Sequence, residues 1–170
     1  MRLFFALWPG ERVRASLAHV ASTLASLAGA RPVSDAKIHL TLAFLGEVEP
    51  GRLADVRDAA KQARASRFEL VFDVAGSFRR AGVAWAGPSR VPAALGELQS
   101  SLDLALRARG FALEVRPFAA HVTLARKISV TVPQAPIAAI RWRPRDFALV
   151  RSETGTGRYT VIETWPLGRG

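Results

Sequence analysis

The chain has 170 residues, a length that suits one domain or two small lobes sharing an interface, and at 49% hydrophobic and 22% charged it reads as globular and not as disordered. It has no cysteine, which excludes a disulfide framework and a thiolate zinc site, and no apolar run reaches the roughly 18 residues of a membrane span. The formal net charge is +10, from 24 basic residues, 21 of them arginine, against 14 acidic ones; that balance favours anionic partners such as nucleic acid, although the arginines are scattered along the chain.

In chain order, "RLFFALW" predicts a first strand, ended by Pro9-Gly10. The apolar part of this N-terminus is too short for a signal peptide, and the expected location is the cytoplasm. Residues 11–28 carry Val13, Leu17, Val20, Leu24 and Leu27 at helical spacing, with Gly29 and Pro32 as stop signals. Residues 37–45 predict a strand, and Pro50-Gly51 opens a second helix with Leu53, Val56, Ala60 and Ala63 inward. "FELVFDVAGSF" and "GVAWAG" predict two strands joined by a turn near Arg80. Ser89 is placed to cap a third helix with the stripe Leu95, Leu98, Leu102 and Leu106, and Gly110 follows its end. Residues 111–116 are a further strand candidate, 119–126 a strand, and 129–144, with three prolines, a loop. "DFALVRS" and "RYTVIETWPL" flank "ETGTG" as a hairpin. A loose internal echo of strands and helices suggests two similar lobes, each an antiparallel sheet backed by helices.

Two of these strands hold the same small pattern. "HLTLAFLG" begins at His39 and "HVTLARK" at His121, 82 residues later; the chain has three histidines in all. Side chains alternate between the faces of a strand, so His39 and Thr41 share one face while Leu40, Leu42 and Phe44 are expected on the other. His121 and Thr123 likewise oppose Val122 and Leu124. A single His-x-Thr is commonly a surface ladder or a satisfied core pair; its repetition points to function. Neither motif has a carboxylate or histidine at ligand spacing, so no metal is expected. Two imidazoles titrate near neutral pH and suit acid–base catalysis, one giving a proton while the other takes one. Two hydroxyls can hold phosphate oxygens without adding negative charge. The third histidine, His19, lies off the apolar stripe of the first helix and is read as a surface residue.

These paired motifs resemble the 2H phosphoesterase superfamily, and within it the RNA 2′,3′-cyclic phosphodiesterases, also called 2′-5′ RNA ligases. The likeness extends to "RLFFALWP", "GVAWAG" and "FALVRSETGTGRYTVIETWPL". It implies one bilobal catalytic domain over residues 1–170, an α+β fold of two antiparallel sheets with helices outside and a pseudo-twofold central cleft. It implies hydrolysis of RNA 2′,3′-cyclic phosphate ends to 2′-phosphomonoesters without metal; no other cofactor is expected, and a monomer is expected. Within the resemblance His39 is the proton donor, His121 the proton acceptor, and Thr41 and Thr123 bind phosphate. Arg126 matches a substrate-side arginine, although strict alternation puts it on the face opposite Thr123, so that role needs a twist or a strand end. Ala120 stands where many relatives have proline. The alternatives are a ligase joining RNA halves through cyclic phosphate ends, and an RNA-end binding module without turnover.

Overall fold

The computed structural model describes residues 1–168. Its strands are β1 (Arg2–Leu7), β2 (Arg31–Pro32), β3 (Leu40–Glu47), β4 (Leu70–Phe78), β5 (Val83–Gly87), β6 (Val122–Arg126), β7 (Ala135–Trp142), β8 (Asp146–Ser152) and β9 (Tyr159–Pro166). Its longer helices are α1 (Glu11–Ala28), α2 (Leu53–Gln62) and α3 (Ala93–Ala108). The strands run in the order β7-β4-β5-β6-β3-β1-β8-β9, all antiparallel, with β2 beside β6. The order reads as two four-stranded halves facing each other. β6 mirrors β3, β5 mirrors β1, β4 mirrors β8, and β7 mirrors β9. Along the sheet, β3 and β6 join the halves through one residue pair, Leu40 with Val122. This is the bilobal, pseudo-twofold α+β arrangement expected from the resemblance.

Burial explains the central position of β1. Leu3 through Leu7 are all buried, a continuous apolar run with protein on both faces. Phe5 packs against Phe147 and Trp165 at centroid distances of 6.1 and 5.8 Å, in the main core under the helices. Phe4 and Ala6 point the other way and join Ala148, Val150, Trp8 and Tyr159 in a smaller cluster. α1 packs on β5, β6 and β7, whereas α3 packs on β3 and on α2. The units β1–α1–β3 and β5–α3–β6 therefore each send their helix to the opposite half.

Helix ends follow local chemistry. Gly29 ends α1 in the left-handed conformation at φ 56°, where its N–H bonds the Ala25 carbonyl. Leu27, expected on the α1 stripe, is instead 64% exposed. The buried set is Leu17, Ala21, Leu24, Ala25 and Ala28, whose mean direction lies about 100° around the helix from Leu27. His19 is exposed.

Three other expectations need correction. Ser89 does not cap α3, which begins at Ala93 after Pro92; its N–H and hydroxyl both bond the Asp73 carboxylate at 2.6 Å. Residues 111–116 form no strand, and the Leu113 and Glu114 carbonyls there accept bonds from Arg107 on α3. The stretch 129–144, read as a loop, contains β7, which pairs with β4 from Leu70↔Trp142 to Ala75↔Ala135. As an exposed edge strand β7 tolerates Pro136 and shows no burial alternation, so the sequence carried no strand signal.

Candidate active site

The β3–β6 pair between the two halves also places the candidate site. Leu40 and Val122 are both fully buried, on the core face of their strands. Continuing that antiparallel register puts His39 across from Thr123 and Thr41 across from His121. All four lie on the face opposite Leu40 and Val122. They line one cleft of about 470 Å³ between the halves. The repeated His-x-Thr pattern is thus the sequence trace of a pseudo-twofold axis between two facing strands.

Each histidine sits just before its strand, and each is anchored alike. His39 Nδ1 lies 2.7 Å from the Lys37 carbonyl, and His121 Nδ1 lies 2.7 Å from the Ala119 carbonyl. A carbonyl oxygen only accepts, so Nδ1 carries the hydrogen in both rings. Nε2 is left in each as the atom free to give or take a proton.

The rings have different surroundings. His39 stacks on Trp8 at 4.8 Å and 17°, contacts Phe4 at 5.1 Å, and meets the edge of Tyr159 at 5.5 Å. This box comes from β1, the residue after it, and β9. His121 has one aromatic neighbour, Phe78, edge-on at 5.0 Å. Burial pushes the His39 pKa down to about 4, with the positive charges of Arg126 and His121 acting in the same direction, against a raising contribution from the Lys37 carbonyl. Burial also lowers the His121 pKa, assisted by Arg116 and opposed by the Ala119 carbonyl.

Arg126 lines the cleft despite its odd spacing from Thr123. The pairing of β5 with β6 passes from Ala84↔Ala125 to Trp85↔Thr123, which leaves Leu124 as an extra residue. This β-bulge buries Leu124 and Ala125 together and returns Arg126 to the face of Thr123. β3 has the matching irregularity: Phe5 pairs with Ala43 and Ala6 with Thr41, so Leu42 is extra. Leu42 and Ala43 are both buried, and Phe44 emerges 44% exposed on the cleft side. Phe44 was expected on the core face, and the bulge reverses it. Phe44 and Arg126 are pseudo-twofold mates, five residues beyond their histidines, with a guanidinium (Arg2) set 4.9 Å over the Phe44 ring.

Sequence reasoning missed Phe44, Lys37, Trp8 and Tyr159. Only Lys37, two residues before His39, was within reach of a local motif. Arg2, Lys37 and Arg126 bring positive charge to the cleft against one carboxylate, Glu153. Among the described residues no group of three or more His, Asp or Glu side chains is placed to hold a metal ion.

β5 supports the second histidine from below. A Cβ on Gly87 would lie 2.6 Å from the Ala120 carbonyl oxygen, in the segment whose Ala119 carbonyl anchors His121. Gly87→Ala should lower stability by about 1–3 kcal/mol through this overlap, read as a shifted denaturant midpoint. Wild-type stability in that variant would show that the segment yields freely and does not hold His121 in place.

The family model described as LigT like Phosphoesterase matches residues 7–85 and 87–157. The chain is 34% identical over 170 residues to an RNA 2′,3′-cyclic phosphodiesterase of Escherichia coli (strain K12), covering 98% of this chain and 96% of that protein. It is 33% identical over 186 residues to a protein of the same name from Thermus thermophilus, covering 98% and 90%. The crystal structure of E. coli LigT complexed with 3′-AMP superposes with a TM-score of 0.89 at 32% identity, over 99% of this chain and 98% of that one.

Proposed function

The chain belongs to the LigT-like phosphoesterase family, and from that premise we propose that it hydrolyses RNA 2′,3′-cyclic phosphate ends to 2′-phosphomonoesters. The observation that carries this reading is the register-linked set of His39, Thr41, His121 and Thr123 on one cleft, with both Nε2 atoms free.

In this reading the cyclic phosphate lies between the two strands. Thr41 and Thr123 donate hydrogen bonds to its non-bridging oxygens, and the Arg126 guanidinium offsets its charge. His121 Nε2 takes a proton from water as the water oxygen bonds to phosphorus, opposite the 3′ oxygen. The bond from phosphorus to the 3′ oxygen breaks, and His39 Nε2–H gives that oxygen its proton. The products are a 2′-phosphomonoester and a free 3′-hydroxyl. One proton has left His39 and one has arrived on His121, and exchange with solvent restores both. The scheme takes the protein as a monomer, and RNA as substrate supports a cytoplasmic location. No helix among the described residues is long and apolar enough to cross a membrane.

The two environments set a condition on this scheme. His39, boxed by three aromatic rings, is the more strongly lowered ring, so in the empty cleft a single proton favours His121. Catalysis uses the opposite order. The bound phosphate anion supplies the reversal, because a hydrogen bond from Nε2–H to an anionic oxygen favours the imidazolium. The expected pH dependence has a definite sign. Both free-protein pKa values lie below the ordinary 6.5, so kcat/KM should peak below pH 6.5. The phosphate charge raises both, His39 the more because its Nε2–H donates directly to the substrate, so kcat should peak at higher pH than kcat/KM. A kcat/KM maximum above pH 7 would contradict the burial argument. The limbs belong to the coupled pair and not to single rings.

The test of function is product analysis with a nucleoside 2′,3′-cyclic phosphate in excess chelator. The expected product is the nucleoside 2′-phosphate. A 3′-phosphate product, or no turnover, would overturn the reading.

A further inference from the structure

A second cavity opens beside His121. Its volume is about 780 Å³, and it shares Thr41, Phe44, His121, Thr123 and Arg126 with the cleft that holds His39. The two are arms of one groove, joined at the threonines. The second arm is also lined by the turn Arg79–Ala81 between β4 and β5 and by the stretch from Arg116 to Phe118 that leads to β6.

Charge in this arm is one-sided. Arg79, Arg80, Arg116 and Arg126 line it. The two carboxylates that also line it are already engaged, Asp103 by Arg107 at 2.7 Å and Glu114 by Arg116 at 2.6 Å. Arg79, Arg80 and Arg126 enter none of the ion pairs among the described residues. Arg79 and Arg80 are exposed on a short turn, free to reach along the groove. Two half-buried phenylalanines add apolar surface. Phe78 stacks on Trp85 at 5.1 Å and 23°, and Phe118 lines the arm with it.

Unpaired guanidiniums along a groove with aromatic faces between them suit a single-stranded polynucleotide. The charges track its phosphates and the rings take its bases. Hydrolysis of one cyclic phosphate uses Arg126 but needs neither Arg79 and Arg80 nor the Phe118 side of this arm. The arm opens directly onto the phosphate position proposed above, which selects RNA over an unrelated acidic partner. We propose that this groove binds the phosphodiester backbone of the RNA chain that carries the cyclic end, so that the protein prefers an oligonucleotide to a mononucleotide through Arg79 and Arg80. The proposal rests on the cyclic phosphodiesterase reading and adds where the rest of the substrate lies.

The experiment compares kcat/KM for a nucleoside 2′,3′-cyclic phosphate with that for a short oligoribonucleotide ending in the same group. It is run on the wild-type protein and on the Arg79→Gln/Arg80→Gln double variant over a series of salt concentrations. The oligonucleotide value should fall about tenfold in the variant while the mononucleotide value stays unchanged. Each lost phosphate contact on a single strand flattens the log–log salt dependence by about 0.7, so the slope should be shallower by about 1.4. An unchanged ratio between the two substrates, or an equal fall in both, overturns the groove. Mononucleotide turnover by the wild type tests the catalytic reading separately. If that turnover is absent, fluorescence anisotropy of the labelled oligonucleotide on the two proteins decides, and equal affinities overturn the groove.

Discussion

His39→Ala and His121→Ala should each lower turnover of a nucleoside 2′,3′-cyclic phosphate by about a hundredfold or more. The two losses should differ in kind. A substrate analogue with a good leaving group in place of the 3′ oxygen needs little protonation as the bond breaks. It should restore much of the rate to His39→Ala and little to His121→Ala, whose attacking water still lacks a base. The reverse pattern would exchange the two roles. That exchange has a physical rationale to test, because the empty cleft makes His121 the more basic ring. Rescue of neither variant, with wild-type denaturation midpoints, would end the acid–base scheme. The midpoints matter most for His39→Ala, since that ring packs on Trp8, Phe4 and Tyr159 and its loss leaves a gap in the smaller cluster.

Thr41→Ala and Thr123→Ala should each cost about ten- to hundredfold in kcat/KM. Each removes one hydroxyl contact to an anionic oxygen, worth about 1–3 kcal/mol when nothing replaces it. The register puts Thr41 across from His121 and Thr123 across from His39, so each hydroxyl sits beside the other half's imidazole. The double variant should lose more than either single one. In the proposed scheme the two hydroxyls hold one phosphate, so a departure from simple addition would measure their coupling. Unchanged kinetics in both single variants would show that the hydroxyls serve the sheet and not the substrate. Serine at either position should keep most of the rate, since it preserves the hydroxyl.

Much of the architecture was legible because its signals are local. The α1 stripe around Leu17 and Leu24, the glycine at position 29, and the β8–β9 hairpin around "ETGTG" all depend on neighbours a few residues away. The two His-x-Thr motifs were legible for the same reason. Alternation along a strand places each histidine and its threonine together, whatever the rest of the fold does. The duplication in sequence then carried the pseudo-twofold relation that the strand order displays.

What the sequence could not determine depends on cross-strand register and on residues distant in the chain. Leu42 and Leu124 look like ordinary strand positions, yet each is the extra residue of a bulge. A bulge is defined by the partner strand, and it moves every later side chain to the other face. That is why alternation put Phe44 and Arg126 on the core side while the folded chain turns both to the cleft. β7 was hidden because an edge strand with both faces largely exposed has no hydrophobic period to read. Most dependent on tertiary structure is the chemistry of His39 itself. Trp8 from the end of β1 and Tyr159 from β9 lie far apart in sequence and meet only when β8 pairs with both of those strands. The sequence by itself determined which groups can move a proton. The packing of distant aromatic rings decided how readily each holds one, because the energy of a charged imidazole depends on the solvent that its neighbours exclude.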